Sequence, residues 1–161
     1  MDGIVKIWNA TTGKEIFKRK QRAGILSFSP EDNTLAINCG GHVELWKMNY
    51  NSNYERDKPM VELFNVFLLP YNMHHYNTAV DSISLAWAPN GRFLAAGHRS
   101  VAVYDIEKGE KVSQIIPSGI FYGQEGPKDA AHTLVFSPDG KSLFTGANEG
   151  IYRYPVMVKQ E

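Results

Sequence analysis

The chain has 161 residues, 43% of them hydrophobic, and its 17 basic and 17 acidic residues give a formal charge of zero. That is enough apolar material for a sizeable core and excludes a disordered chain, while the zero balance supplies no global field towards nucleic acid or an anionic membrane. No run approaches the roughly 20 apolar residues of a membrane span, and Met1-Asp2-Gly3 lacks the charged and apolar regions of a secretory signal, so a cytoplasmic or nuclear address is the default reading.

In chain order, Met1-Asp2-Gly3 reads as a turn before a strand, Ile4 to Trp8, in which β-branched and polar residues alternate. Thr11-Thr12-Gly13-Lys14 makes the next turn, and Glu15 to Lys20 forms an outer strand. Its basic cluster, with Lys14 and Arg22, reads first as a solvated edge that blocks unwanted sheet pairing, and second as a phosphate contact. A second unit spans about 23–67 and carries a polar insertion, Met48 to Pro59, read as a surface loop. Met60 to Phe67 behind it alternates as an outer strand. The single cysteine, Cys39, allows no internal disulfide, offers no metal cluster, and after an apolar strand reads as a reduced, packed thiol. Leu68 to Asn77 is a connection too long and aromatic for a simple turn. Its His74-His75 pair invites a metal reading, yet adjacent residues of an extended chain point to opposite faces and no carboxylate or cysteine accompanies them. A third unit follows over about 82–116. Pro117 to Asp129 is a second long connection, whose glycines lack the strand-to-helix setting of a phosphate loop. A last unit covers about 131–154.

These units are copies of one pattern. Phe28-Ser29-Pro30, Trp87-Ala88-Pro89-Asn90-Gly91 and Phe136-Ser137-Pro138-Asp139-Gly140 each close an apolar strand with a proline, which cannot donate to a ladder, and two of them add the residue pair of a tight reversal. A strand with Leu and a small residue follows (Leu35-Ala36, Leu94-Ala95, Leu143-Phe144-Thr145), then a strand ending on an aromatic: Trp46, Tyr104 or Tyr154, as at Trp8. From Pro30 to Trp46, Pro89 to Tyr104 and Pro138 to Tyr154 the distances are 16, 15 and 16 positions, too regular for chance.

This pattern resembles the WD40 repeat, and the resemblance covers nearly the whole chain. It implies an all-β fold of antiparallel four-stranded blades stacked radially as in a β-propeller, within a single domain over 1–161. The family's Trp-Asp pair reads Trp8-Asn9, Trp46-Lys47, Tyr104-Asp105 and Tyr154-Pro155, so one copy keeps the acid. The family's Gly-His pair is absent from its usual place, where the last copy has Gly126-Pro127, and Gly97-His98 falls after the wrong strand. The expected tally is two, four, four and three strands. Closed propellers of this kind typically hold 4 to 8 blades, so the array is expected to be open, with apolar end faces that a larger propeller, a second copy or another chain covers.

The resemblance implies a non-enzymatic scaffold for protein partners. In such propellers the loops from the outer strand of one blade to the inner strand of the next share a face, and both long connections are of that kind. Tyr71, His74, His75 and Tyr76 from one, with Phe121 and Tyr122 from the other, are the candidate partner-binding residues, because aromatics bury much area at little rotamer cost. No catalytic residue, cofactor or metal is expected. A hydrolase would want a carboxylate pair or an activated nucleophile, whereas Asp32, Glu55, Asp57, Glu107, Glu110 and Asp139 sit mainly in turns and outer strands. RNA contact through Lys14, Lys18, Arg19, Lys20 and Arg22 within a ribonucleoprotein assembly is the alternative reading, and a propeller-based hydrolase the second alternative.

Overall fold

The computed structural model describes residues 3–21, 24–39, 41–49, 61–69, 84–97, 100–115, 131–147 and 150–156. Among them all regular structure is β, in four antiparallel sheets. Sheet 1 pairs β1 (Ile4–Trp8) with β2 (Glu15–Lys20). Sheet 2 runs β3 (Leu26–Phe28), β4 (Thr34–Asn38), β5 (His42–Met48), β6 (Val61–Leu68). Sheet 3 runs β7 (Ser84–Trp87), β8 (Phe93–Gly97), β9 (Val101–Asp105), β10 (Glu110–Ile115), and sheet 4 runs β11 (Thr133–Phe136), β12 (Ser142–Ala147), β13 (Gly150–Pro155). The two, four, four and three strands expected from the repeats are all present, in meander order. The readings of Met48 to Pro59, Leu68 to Asn77 and Pro117 to Asp129 as loops fall largely outside the described residues.

Local chemistry repeats with the sequence. After the inner strand, the residue before each proline returns a backbone bond across the reversal: Ser29 N–H to the Thr34 carbonyl, Ala88 to Phe93, and Ser137 to Ser142, each at 2.8 Å. Gly91 and Gly140 take the left-handed conformation that the tight turn requires, with φ of 65° and 70°. At or just after the end of the third strand, Met48, Ile106 and Val156 donate to the carbonyls of Asn33, Arg92 and Lys141 at 2.8–2.9 Å, which ties each inner turn to the third strand of its own sheet.

The turn after the third strand explains one departure from the family dipeptide, Trp8-Asn9. Asp105 Oδ1 accepts from the N–H groups of Glu107 and Lys108 at 3.1 and 3.2 Å, and Gly109 N–H returns to the Asp105 carbonyl at 2.9 Å. Asn9 does the same in sheet 1: its Oδ1 accepts from Thr11 and Thr12 at 3.0 and 2.8 Å, and Gly13 closes the turn at 2.8 Å. The turn needs a short side-chain acceptor, which an amide supplies as well as a carboxylate.

The sheets stack face to face, with one apolar cluster at each junction. Val5, Leu35, Ile37, Trp46 and Met48 join sheets 1 and 2. Leu45, Phe67, Leu85, Leu94 and Tyr104 join sheets 2 and 3. Phe93, Val103, Leu134, Phe136 and Leu143 join sheets 3 and 4. The middle strands are therefore buried on both faces. In β8, Leu94 and Ala96 face sheet 2 while Phe93 and Ala95 face sheet 4, and the small residues let the sheets approach. Polar bonds bridge the junctions near the inner strands: Trp87 Nε1 donates to the Ser27 carbonyl at 3.1 Å, and Leu134 N–H to Ser84 Oγ at 3.0 Å.

Candidate interaction surfaces

Equivalent positions in the repeats meet different surroundings. The inner-strand pair is Leu26 and Phe28 in sheet 2, Leu85 and Trp87 in sheet 3, and Leu134 and Phe136 in sheet 4. The later pairs pack on the sheet before them. Leu26 and Phe28 are instead 50% and 52% exposed, although their cross-strand partners Ile37 and Leu35 are buried beneath sheet 1. Sheet 1 holds only β1 and β2 among the described residues, the equivalents of a third and a fourth strand, so nothing described stands in front of β3. The third-strand aromatic follows the same rule. Trp46 and Tyr104 are buried against the preceding sheet, whereas Trp8 and Ile4 point to the open side and are more than half exposed. Trp8 is thus a third-strand aromatic that no preceding sheet covers among the described residues. Val135 and Ile151 are exposed on the opposite, trailing face of sheet 4.

A cleft of about 310 Å³ opens between sheets 2 and 3, at the end carrying the β3–β4 and β7–β8 turns, and Asp32, Lys47, Phe64, Arg92 and Glu107 are among its lining residues. Three ion pairs flank it. Arg92 Nη2 and Nε reach Asp105 Oδ2 at 2.8 and 3.1 Å, and Nε lies 3.3 Å from Glu107. In sheet 2, Lys47 stands where sheet 3 has Asp105, and it pairs with Asp32 of the β3–β4 turn. The link between inner turn and third strand is kept with its polarity reversed. Burial works to raise the pKa of both carboxyls and is outweighed. Hydrogen bonds from Lys47, Thr34 and Ser29 hold Asp32 at about 2, and the Arg92 side chain with the Lys108 and Glu107 amides holds Asp105 below the ordinary range.

A second cluster sits at the other end of sheet 2, where the β4–β5 reversal meets sheet 1. Cys39 N–H donates to the His42 carbonyl at 2.9 Å, and His42 Nε2 lies 3.4 Å from Glu44 Oε1. The other oxygen, Glu44 Oε2, accepts from Trp46 Nε1 at 3.0 Å and from Arg19 at 3.2 Å, while the Arg19 guanidinium lies 4.9 Å from the centroid of the Trp46 ring. Gln21, directly after β2, donates through Nε2 to Cys39 Sγ. Burial favours the neutral form of Glu44, but hydrogen bonds from Gln21, Trp46 and His42 and the charge of Arg19 hold its carboxyl below the usual value. Burial, with the Glu44 charge added, pushes the Cys39 thiol up to about 11. Cys39 is a packed thiol, as expected from the sequence. The titratable neighbours that the reversal gathers around it were missed, although the spacing Cys39-x-x-His42-x-Glu44 would have shown them.

The candidate partner-binding residues Tyr71, His74, His75, Tyr76, Phe121 and Tyr122 all lie outside the described residues. The connection carrying the first four leaves β6 at Leu69, whose N–H donates to the Gly41 carbonyl at 3.1 Å, next to the β4–β5 reversal and away from the cleft. Tyr104 Oη donates to the Leu68 carbonyl at 2.7 Å, fixing that departure point to sheet 3, and burial pushes the phenol up to about 12, so it stays a donor at neutral pH. Of the proposed RNA-contacting residues, Lys14, Lys18 and Lys20 are exposed, Arg19 is engaged with Glu44 and Trp46, and Arg22 lies outside the described residues. Among the described residues no helix is long and apolar enough to cross a membrane.

Stacked antiparallel sheets of this kind define the β-propeller class, and comparison with known proteins agrees. Residues 69–105 match the WD40 family, described as WD domain, G-beta repeat. The chain is 25% identical over 158 residues to MST50-interacting protein 11 of Pyricularia oryzae and equally to the small ribosomal subunit protein RACK1 of Neurospora crassa, in each case over 94% of this chain and 44% of the relative. To RACK1 of Schizosaccharomyces pombe it is 31% identical over 71 residues, 44% of this chain and 23% of that one. The β-propeller domain of Cps50 (Swd1) from Myceliophteria thermophila superposes with a TM-score of 0.67 at 16% identity, over 97% of this chain and 48% of that one. The chain has the fold of a β-propeller, unclosed among the described residues, with a WD40 match over residues 69–105, and it spans less than half the length of these relatives.

Proposed function

We propose that the chain acts as a non-enzymatic scaffold for protein partners, as one domain that further blades complete, supplied by a larger propeller or by a second copy. The observation that carries the reading is the exposure of Leu26 and Phe28 at positions that the preceding sheet buries in the later repeats. Apolar faces built for a neighbouring blade favour assembly over an isolated existence in water. The six aromatic and histidine residues of the long connections, Tyr71, His74, His75, Tyr76, Phe121 and Tyr122, form the partner-binding rim. The anchoring of Leu69 beside the β4–β5 reversal supports a start for the first connection on that face. Replacing Tyr76 and Phe121 together by Ala weakens capture of partner proteins while the thermal midpoint stays unchanged. Undiminished capture by the folded variant rejects the rim.

A second reading is favoured by the relatives named as small ribosomal subunit proteins together with the exposed Lys14, Lys18 and Lys20. It places the basic edge of β2 against RNA in a ribonucleoprotein particle, at a cytoplasmic address. RNA binding that weakens steeply with salt and drops in the Lys18→Ala, Lys20→Ala variant supports it, and salt-independent binding counts against it.

A further inference from the structure

We propose that Cys39, His42, Glu44 and Gln21 form a binding site for a divalent transition metal of the zinc class, built on the β4–β5 reversal and closed by the residue that follows β2. The ligand atoms of Cys39, His42 and Glu44, a sulfur, a ring nitrogen and a carboxylate oxygen, all lie within 4.8 Å of one another. Bonds of about 2.0 Å to nitrogen and oxygen and about 2.3 Å to sulfur set tetrahedral ligand atoms roughly 3.2–3.8 Å apart, so a contraction of about 1 Å completes the set. The His42 side chain, 35% exposed, has room for that adjustment, while the β4–β5 ladder holds Glu44 opposite Ile37 and the Cys39 amide is tied to the His42 carbonyl.

Two further observations point to a ligand. Gln21 Oε1 is buried and has no hydrogen-bond partner among the described residues, although the same amide's nitrogen contacts Cys39 Sγ. A buried acceptor without a donor costs about 1–3 kcal/mol, and that cost is removed once the amide oxygen, rather than the nitrogen, faces a cation in the cluster. A half-turn of the amide sets Oε1 beside the sulfur as a fourth ligand and gives up the Nε2 contact with Cys39 Sγ and the hydrogen bond to Glu44, whose charge the cation then balances. The second observation is how Glu44 is held. Trp46 Nε1 and Arg19 occupy Oε2 and leave Oε1 directed at His42, and such outer-shell bonds orient a ligating carboxylate. A thiolate and an imidazole select zinc-class ions over magnesium or calcium, which prefer sets made only of oxygen. The site sits at the junction of sheets 1 and 2, so a bound ion staples the two-stranded sheet to its neighbour.

Cobalt(II) titrated into the full reduced chain, without oxygen, tests the site. The expected result is a thiolate-to-cobalt charge-transfer band with the visible bands of tetrahedral cobalt, saturating at one equivalent and displaced by Zn²⁺. Cys39→Ser abolishes the charge-transfer band and lowers Zn²⁺ affinity at least ~100-fold, and Gln21→Leu lowers it about tenfold. Absence of any charge-transfer band in the wild-type chain overturns the proposal, whatever the variants do. Zn²⁺ affinity unchanged in a folded His42→Ala variant overturns it equally.

Discussion

Phe28 and Phe136 stand at the same place in their repeats, two residues before the turn proline, yet Phe136 is 6% exposed beneath β7 and Phe28 is 52% exposed. The difference comes from what stands in front of each strand. Replacing Phe136 by Ala is expected to cost about 3–5 kcal/mol by urea unfolding, and Phe28→Ala under about 1 kcal/mol in the isolated chain. Equal costs would mean that Phe28 is already covered in solution.

The reversed ion pairs give a second contrast. Asp105 is buried and its partner Arg92 is the guanidinium beside it, so Arg92→Ala strands a carboxylate held only by two amides and is expected to cost about 2 kcal/mol. Asp32 and Lys47 are both substantially exposed, and Lys47→Ala is expected to cost no more than about 1 kcal/mol. Thermal unfolding of the two variants checks the order, and a Lys47 effect larger than the Arg92 effect contradicts it.

The same carboxylates set a pH dependence. Asp32 and Asp105 have folded pKa values below the ordinary 3.8, so the unfolded chain takes up protons first as pH falls. Their contribution is fully present above about pH 4 and is lost as pH drops through the folded values, about 2 for Asp32. The thermal midpoint should fall between about pH 5 and pH 2, with a shallower fall in Asp105→Asn. Identical slopes in the two proteins would remove Asp105 from the account.

Glycines with the same backbone conformation should differ in tolerance. Gly91 has φ 65° and a Cβ there would lie 2.9 Å from Glu31 Cβ, in the turn of the preceding sheet. Gly13 has φ 69° with nothing within 4 Å. Gly13→Ala therefore carries only the backbone cost of about 1 kcal/mol, and Gly91→Ala adds a clash that pushes two sheets apart. Chemical denaturation of both variants measures the gap, and equal losses would show that Glu31 yields freely.

The strand tally was legible because prolines, turn glycines and terminal aromatics punctuate the chain at fixed intervals, and each mark has a local cause. Burial was less so. Leu26 and Phe28 carry the same residue types as Leu134 and Phe136, and only the strands placed before them separate the two pairs. The polarity reversal between Arg92–Asp105 and Asp32–Lys47 needed the register of β4 with β5 and of β8 with β9. The cluster at Cys39 was half legible: His42 and Glu44 follow in sequence, but Gln21 and Arg19 arrive from sheet 1 through packing. The candidate rim at Tyr71, His74, His75, Tyr76, Phe121 and Tyr122 rests on the sequence alone.

The central claim is that Leu26 and Phe28 belong beneath further strands. Absolute mass by light scattering on a sizing column, over a tenfold concentration range, tests it most directly when wild type is run beside Leu26→Ser, Phe28→Ser. The account predicts a wild-type chain that associates as concentration rises and a double variant, equally folded, that associates less. A wild-type chain that stays monomeric across the range, unfolds cooperatively and binds no apolar dye would contradict it.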